Sequence, residues 1–99
     1  MKITEKKDGE KLTLMLYGRL ETVTAPQLQE VVDSGLGGVL HLEIDMESLE
    51  YVSSAGLRVL LSAGKKMKAA GGTMLITGAN EDIREVFKIT GFDTILNIS

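Results

Sequence analysis

Tyr51-Val52-Ser53-Ser54-Ala55-Gly56-Leu57-Arg58 is the stretch on which the reading of the fold turns. A short β-like run ends at two serines, and an amphipathic pattern begins directly after them. A strand that runs straight into a helix predicts an α/β chain. Ser54 is the expected N-cap, its hydroxyl lying at the positive end of the helix. Such a position suits a phosphate as well as a plain cap, and the residues alone leave both open.

Downstream, a helix is predicted from Ala55 to about Ala70, because Leu57, Leu60, Leu61, Gly64 and Met67 follow helical spacing. Gly71-Gly72 stops it. Thr73 to Thr77 reads as a core strand. Asn80 is expected to cap a last helix, Glu81 to Thr90, with Ile83, Val86, Phe87 and Ile89 as its apolar positions. Gly91 ends that helix, and Phe92 to Ile98 is a partly apolar tail.

Upstream, Val39 to Met46 reads as a strand. Leu40, Leu42, Ile44 and Met46 would share one face, and Val39, His41, Glu43 and Asp45 the other. Glu47 to Glu50 is expected to be a connector. Before the turn Ser34-Gly35-Leu36-Gly37-Gly38, Thr24 or Thr22 would cap a helix with Pro26 in its first turn. Its apolar stripe would be Val23, Leu28, Val31 and Val32. Lys11 to Tyr17 reads as a central strand ended by Gly18, apolar on both faces apart from Thr13. Lys2 to Lys7 would be an edge strand joined to it through the hairpin signal Asp8-Gly9.

The predicted order is β-β-α-β-α-β-α. Two β-α-β units imply three neighbouring parallel strands with right-handed crossovers, and the hairpin adds an antiparallel strand at one edge. The fold class is therefore α/β with a small mixed sheet. Ninety-nine residues fit one domain, 1–99. A net charge of −3 argues against nucleic acid as a direct partner. With no cysteine there is no disulfide and no thiolate metal site. The N-terminal residues lack the apolar core of a signal peptide, and no stretch approaches the roughly 18 apolar residues of a membrane span. The expected setting is cytoplasmic.

Catalytic motifs fail one after another. His41 is the only histidine, set between Leu40 and Leu42 in a strand, and reads as structural. A hydrolase elbow needs Gly-x-Ser-x-Gly around Ser54, but position 52 is Val. Gly64-Lys65 lies inside a helix and lacks the earlier glycine of a phosphate loop. Gly35-Leu36-Gly37-Gly38 precedes a strand, the wrong order for a dinucleotide site. Asp45, Glu47 and Glu50 are acidic but lack metal-ligand spacing. The expectation is a protein that is not an enzyme and holds no cofactor or metal.

The serine pair remains. Two adjacent serines stand where one cap suffices, and Ala55 and Gly56 are small enough to leave backbone N–H groups approachable. A phosphate there would add about −1.5 to −2 charges, tolerated by the helix N-terminus. A partner docked on the surface would feel the change.

The chain resembles the STAS domain family (sulfate transporter and anti-sigma factor antagonist). Tyr51 through Leu60 is similar to the family's serine signature. Gly18-Arg19-Leu20-Glu21-Thr22-Val23-Thr24-Ala25-Pro26-Gln27-Leu28 resembles its earlier motif, with Glu21 where Asp is usual. Leu42-Glu43-Ile44-Asp45 resembles its central strand. The resemblance implies a small sheet with helices packed mainly on one face. It also implies a stand-alone anti-sigma factor antagonist. In that role the unmodified chain binds an anti-sigma factor that is also a serine kinase, and a sigma factor is released. Phosphorylation switches binding off, and a metal-dependent PP2C-type phosphatase restores it. ATP would belong to the kinase. The phosphoacceptor falls on Ser54, two before Gly56, with Ser53 as the alternative. Ser53 stands where Asp is frequent, Ala55 where Ser or Thr is, and Arg58 where Gly is. Glu21, Thr22, Ser53, Ser54, Ala55, Gly56 and Arg58 are the expected partner-binding residues. The same resemblance admits a second role, a scaffold module of a transport or lipid-trafficking complex that is not regulated by phosphorylation.

Overall fold

The computed structural model describes Met1–Ser99, and its four strands lie side by side in the order in which they follow one another in the sequence. Along the chain these are β1 (Lys2–Asp8), β2 (Lys11–Leu20), α1 (Ala25–Ser34), β3 (His41–Val52), α2 (Ser54–Ala69), β4 (Thr73–Thr77) and α3 (Glu81–Thr90), followed by a 3-10 turn at Phe92–Thr94. β1 is antiparallel to β2, while β2, β3 and β4 run parallel. This is the β-β-α-β-α-β-α order and the mixed sheet expected from the sequence.

Period-2 patterning puts Leu12, Leu14 and Leu16 of β2 beside Leu42, Ile44 and Met46 of β3 and Met74 and Ile76 of β4. Leu28 and Val32 of α1, Leu57, Leu60, Ala63 and Met67 of α2, and Ile83 and Phe87 of α3 close over that same face in one cluster. All three helices thus cover one side of the sheet. Burying each such large side chain contributes about 1.5–3 kcal/mol. The other side carries no helix and mixes polar side chains with half-buried Met15, Tyr17 and Leu75. There Lys11 pairs with Glu43 at 3.3 Å, and Thr77 Oγ1 donates to Glu43 Oε2 at 3.2 Å.

Several local expectations change. Gly18 does not end β2, and Glu47 to Glu50 is not a connector: both strands continue to Leu20 and Val52. The pairing is irregular between Met15 and Tyr17 and between Gly18 and Arg19, and each irregularity sets one extra β3 residue against β2. Burial in β3 therefore shifts from every second residue to Met46, Leu49 and Val52, a spacing that hides the strand from a period-2 reading. Val23 leaves the α1 stripe and is 83% exposed, because it precedes the first helical turn. Ile89 is likewise off the buried face of α3, at 75% exposure. Val39 is buried and Leu40 only half-buried, since the pleat begins at His41. The tail also does more than expected: Ile98 bridges Ile76 in parallel and extends the free edge of β4.

Candidate functional site at the carboxyl ends of the parallel strands

The serine signature lies where β3 ends against β2. Register brings Arg19 opposite Tyr51 and Leu20 opposite Val52. The Ser53 N–H then donates to the Leu20 carbonyl at 2.9 Å, holding Ser53 extended at φ −94° and ψ 175°. The chain enters the helix only after that bond. Its first intrahelical bond runs from the Leu57 N–H to the Ser53 carbonyl, and the Gly56 N–H donates to Ser53 Oγ at 3.4 Å. Ser53 is thus the N-cap, which corrects the expectation for Ser54. Ser54 is the first residue of α2, exposed, and no side-chain hydrogen bond engages its hydroxyl.

Gly56 also differs from expectation. It is buried, and a Cβ on it would lie 2.6 Å from Leu20 Cγ. Its small size serves close packing of α2 on β2, and its N–H is already taken by Ser53. It offers no surface of its own to a partner. Ala55 is half-buried and leans on the core. Arg58 is exposed one turn after Ser54, on the same helix flank.

The loop after β2 stands beside the serines through the Leu20–Ser53 bond. Thr24 Oγ1 donates to the Arg19 carbonyl at 2.7 Å and accepts from the Glu21 N–H at 2.9 Å. Thr24 is the N-cap residue of α1 but uses its hydroxyl to tie this loop, leaving the helix without a side-chain cap bond. Thr22 and Val23 project from the tied loop and are exposed. Glu21 Oε2 accepts from Arg19 Nε at 2.8 Å, and the Arg19 guanidinium lies 4.5 Å from the centroid of the Tyr51 ring. The hydrogen bond that Arg19 donates to Glu21 pushes the guanidinium above its already high ordinary pKa. Arg19, Tyr51 and Thr24 were missed as site residues. Ending β2 at Gly18 placed Arg19 in a loop and hid its pairing with Tyr51.

A third loop completes this end of the sheet. Asn80 accepts from the Ile83 N–H at 2.8 Å as the cap of α3, and its Nδ2 donates to the Leu49 carbonyl at 3.3 Å. Gly78, at φ +72°, lets this loop approach to within 2.9 Å of the Glu47 nitrogen, measured from where a Cβ would stand. Asp45 Oδ1 accepts from the Glu47 N–H at 2.9 Å, while Glu47 and Glu50 face solvent. No group of three or more His, Asp or Glu is arranged to hold a metal ion. His41 begins β3 and Ser54 follows its end, so the strand's full length separates them. His41 instead shares a 2.9 Å hydrogen bond with Thr73 Oγ1 on the open face. No helix is long and apolar enough to cross a membrane.

A four-stranded mixed sheet helixed on one side, with a free serine opening its second helix among three tied loops, defines a small α/β module. The chain belongs to the STAS domain family, whose model matches residues 2–99. It is 32% identical to BtrV of Bordetella bronchiseptica over 100% of this chain and 86% of that protein. It is 27% identical to the anti-sigma-B factor antagonist of Bacillus subtilis over 95% of this chain and 86% of that one. Among solved structures, the Bacillus cell fate determinant SpoIIAA in its phosphorylated form shares the fold at a TM-score of 0.78, with 18% identity over 99% of this chain and 91% of that chain.

Proposed function

We propose that this chain is an anti-sigma factor antagonist switched by phosphorylation of Ser54. The observation that carries the reading is the division of labour between the serines. Ser53 caps α2, and Ser54 beside it is exposed with an unengaged hydroxyl. A kinase can take Ser54 without dismantling the helix start, whereas taking Ser53 would cost the cap. The relative in Bacillus subtilis, named an anti-sigma-B factor antagonist, supports the role.

In this reading the unmodified chain binds an anti-sigma factor that is also a serine kinase, and a sigma factor is released. The phosphate adds about −1.5 to −2 charges at the first turn of α2. The helix dipole accommodates them, so the fold persists. The change falls on the docked partner, by charge and by bulk. A PP2C-type phosphatase would reverse it. The chain itself acts by binding, in the cytoplasm, without cofactor or catalysis.

The test is phosphopeptide mapping after incubation with the serine kinase encoded nearest, with binding of Ser54→Ala and Ser54→Asp measured in parallel. Phosphate on Ser54, and loss of binding in Ser54→Asp only, is the expected result. Equal binding by both variants would overturn the switch and leave the scaffold role.

A further inference from the structure

Beside the serine signature the surface carries a groove of about 280 Å³, lined by Glu50, Tyr51 and Val52 of β3 and by Asp82, Ile83 and Val86 of α3. Four of its six lining residues are apolar: Val52 and Ile83 are core side chains beneath it, while Tyr51, 41% exposed, and half-buried Val86 carry its accessible apolar surface. Two carboxylates, Glu50 and Asp82, stand on the rim, one from each element, and no cation lines it. The nearest cation is Arg19 over the Tyr51 ring, paired with Glu21 and also within the field of the Glu50 carboxylate. Arg84, on the same helix, is turned away: its guanidinium donates to the carbonyls of Ala79 and Ser99.

We propose that this groove docks the anti-sigma factor through a segment carrying an aliphatic side chain flanked by Lys or Arg. The proposal rests on the antagonist reading above and extends its contact surface to α3. The volume suits one or two side chains seated as an anchor, the arrangement that concentrates binding energy at an interface. The two rim carboxylates select a basic flank. They also argue against a second copy of this chain. A two-fold interface would set Glu50 and Asp82 against the same carboxylates of the other copy, in a chain whose net charge is −3. Tyr51 and Val52 immediately precede Ser53-Ser54, so a partner engaged at Ser54 reaches the groove without a second footprint. A phosphate on Ser54 adds negative charge to an end of the molecule that already favours a basic partner, so release must come from the fit around Ser54. The groove contact holds the partner near Ser54 until the phosphate is in place.

The experiment is calorimetric titration of the full chain with the purified anti-sigma factor kinase at two salt concentrations. Val86→Asp and Glu50→Lys are compared with wild type, and circular dichroism and melting confirm the fold. The expected result is at least tenfold weaker binding for Val86→Asp. For Glu50→Lys, a several-fold loss that shrinks at high salt is expected. Phosphorylation of Glu50→Lys should show a raised KM with kcat unchanged. Wild-type affinity in both variants overturns the groove while leaving the antagonist reading intact. Failure of the wild-type chain itself to bind overturns both. A dimer in sedimentation that Val86→Asp dissolves assigns the groove to a second copy and also overturns the proposal.

Discussion

Gly56 of α2 lies so close to Leu20 of β2 that an added Cβ would stand 2.6 Å from Leu20 Cγ and 3.0 Å from the Leu20 carbonyl oxygen. Leu20 is wholly buried and cannot yield. The start of α2 is therefore seated on the sheet by the absence of a side chain.

Gly56→Ala is expected to destabilise the fold by about 1–3 kcal/mol, despite the better helix propensity of alanine, because overpacking outweighs it. Urea unfolding monitored by circular dichroism measures the loss. A neutral or stabilising outcome would show that α2 can lift from Leu20 freely.

The two serines should separate cleanly. Ser53→Ala removes the bond from the Gly56 N–H and should cost about 1 kcal/mol while leaving Ser54 open to phosphorylation. Ser54→Ala, at an exposed position without a side-chain bond, should stay within about 0.5 kcal/mol of wild type. Melting curves, with phosphate incorporation measured on each variant, decide whether cap and acceptor are separate residues.

Ser54→Asp should be slightly more stable than wild type, by about 0.3–1 kcal/mol at low salt, since it places a negative charge at the α2 N-terminus. The gain should fade as salt rises. A variant that loses partner binding while gaining stability would separate a switch from simple damage. A marked drop in its melting temperature would argue the reverse.

Asp33 ties α1 to α2 by accepting from Lys66 Nζ at 3.0 Å. The hydrogen bond from Lys66, then that from Gln29, holds its carboxyl below the ordinary carboxylate range. A depressed folded-state pKa means stability that is present above about pH 4, the ordinary carboxylate value, and lost as pH falls through the lower folded value. The stability difference between wild type and Asp33→Asn should therefore be steady near neutrality and shrink as the solution is acidified below about pH 4. Melting both proteins across that range checks it. A difference unchanged by acid would place the interaction elsewhere.

Arg19→Ala removes both the Glu21 pair and the stack on Tyr51. Both are exposed, so the loss of stability should be small, and smaller still in high salt. Amide exchange should rise at Glu21 and Thr22 if Arg19 helps tie the loop, and stay unchanged if Thr24 alone holds it.

Periodicity by itself determined most of this protein. The runs in Thr73–Thr77 and Glu81–Thr90 and the stops at Gly71 and Gly91 follow local rules, and the structure keeps them. The order of strands follows as well, because right-handed crossovers admit few topologies; the open and covered faces came only with the family resemblance, since Lys11–Tyr17 reads as apolar on both sides. Local pattern failed where two strands negotiated their register. The extra β3 residues opposite Met15–Tyr17 and Gly18–Arg19 carry both strands onward, set Arg19 over Tyr51, and leave Ser53 bonded to Leu20. That last bond, between residues far apart in sequence, decided which serine caps α2 and which is left free. In the sequence the two are adjacent and chemically identical, and only the pairing of β2 with β3 tells them apart.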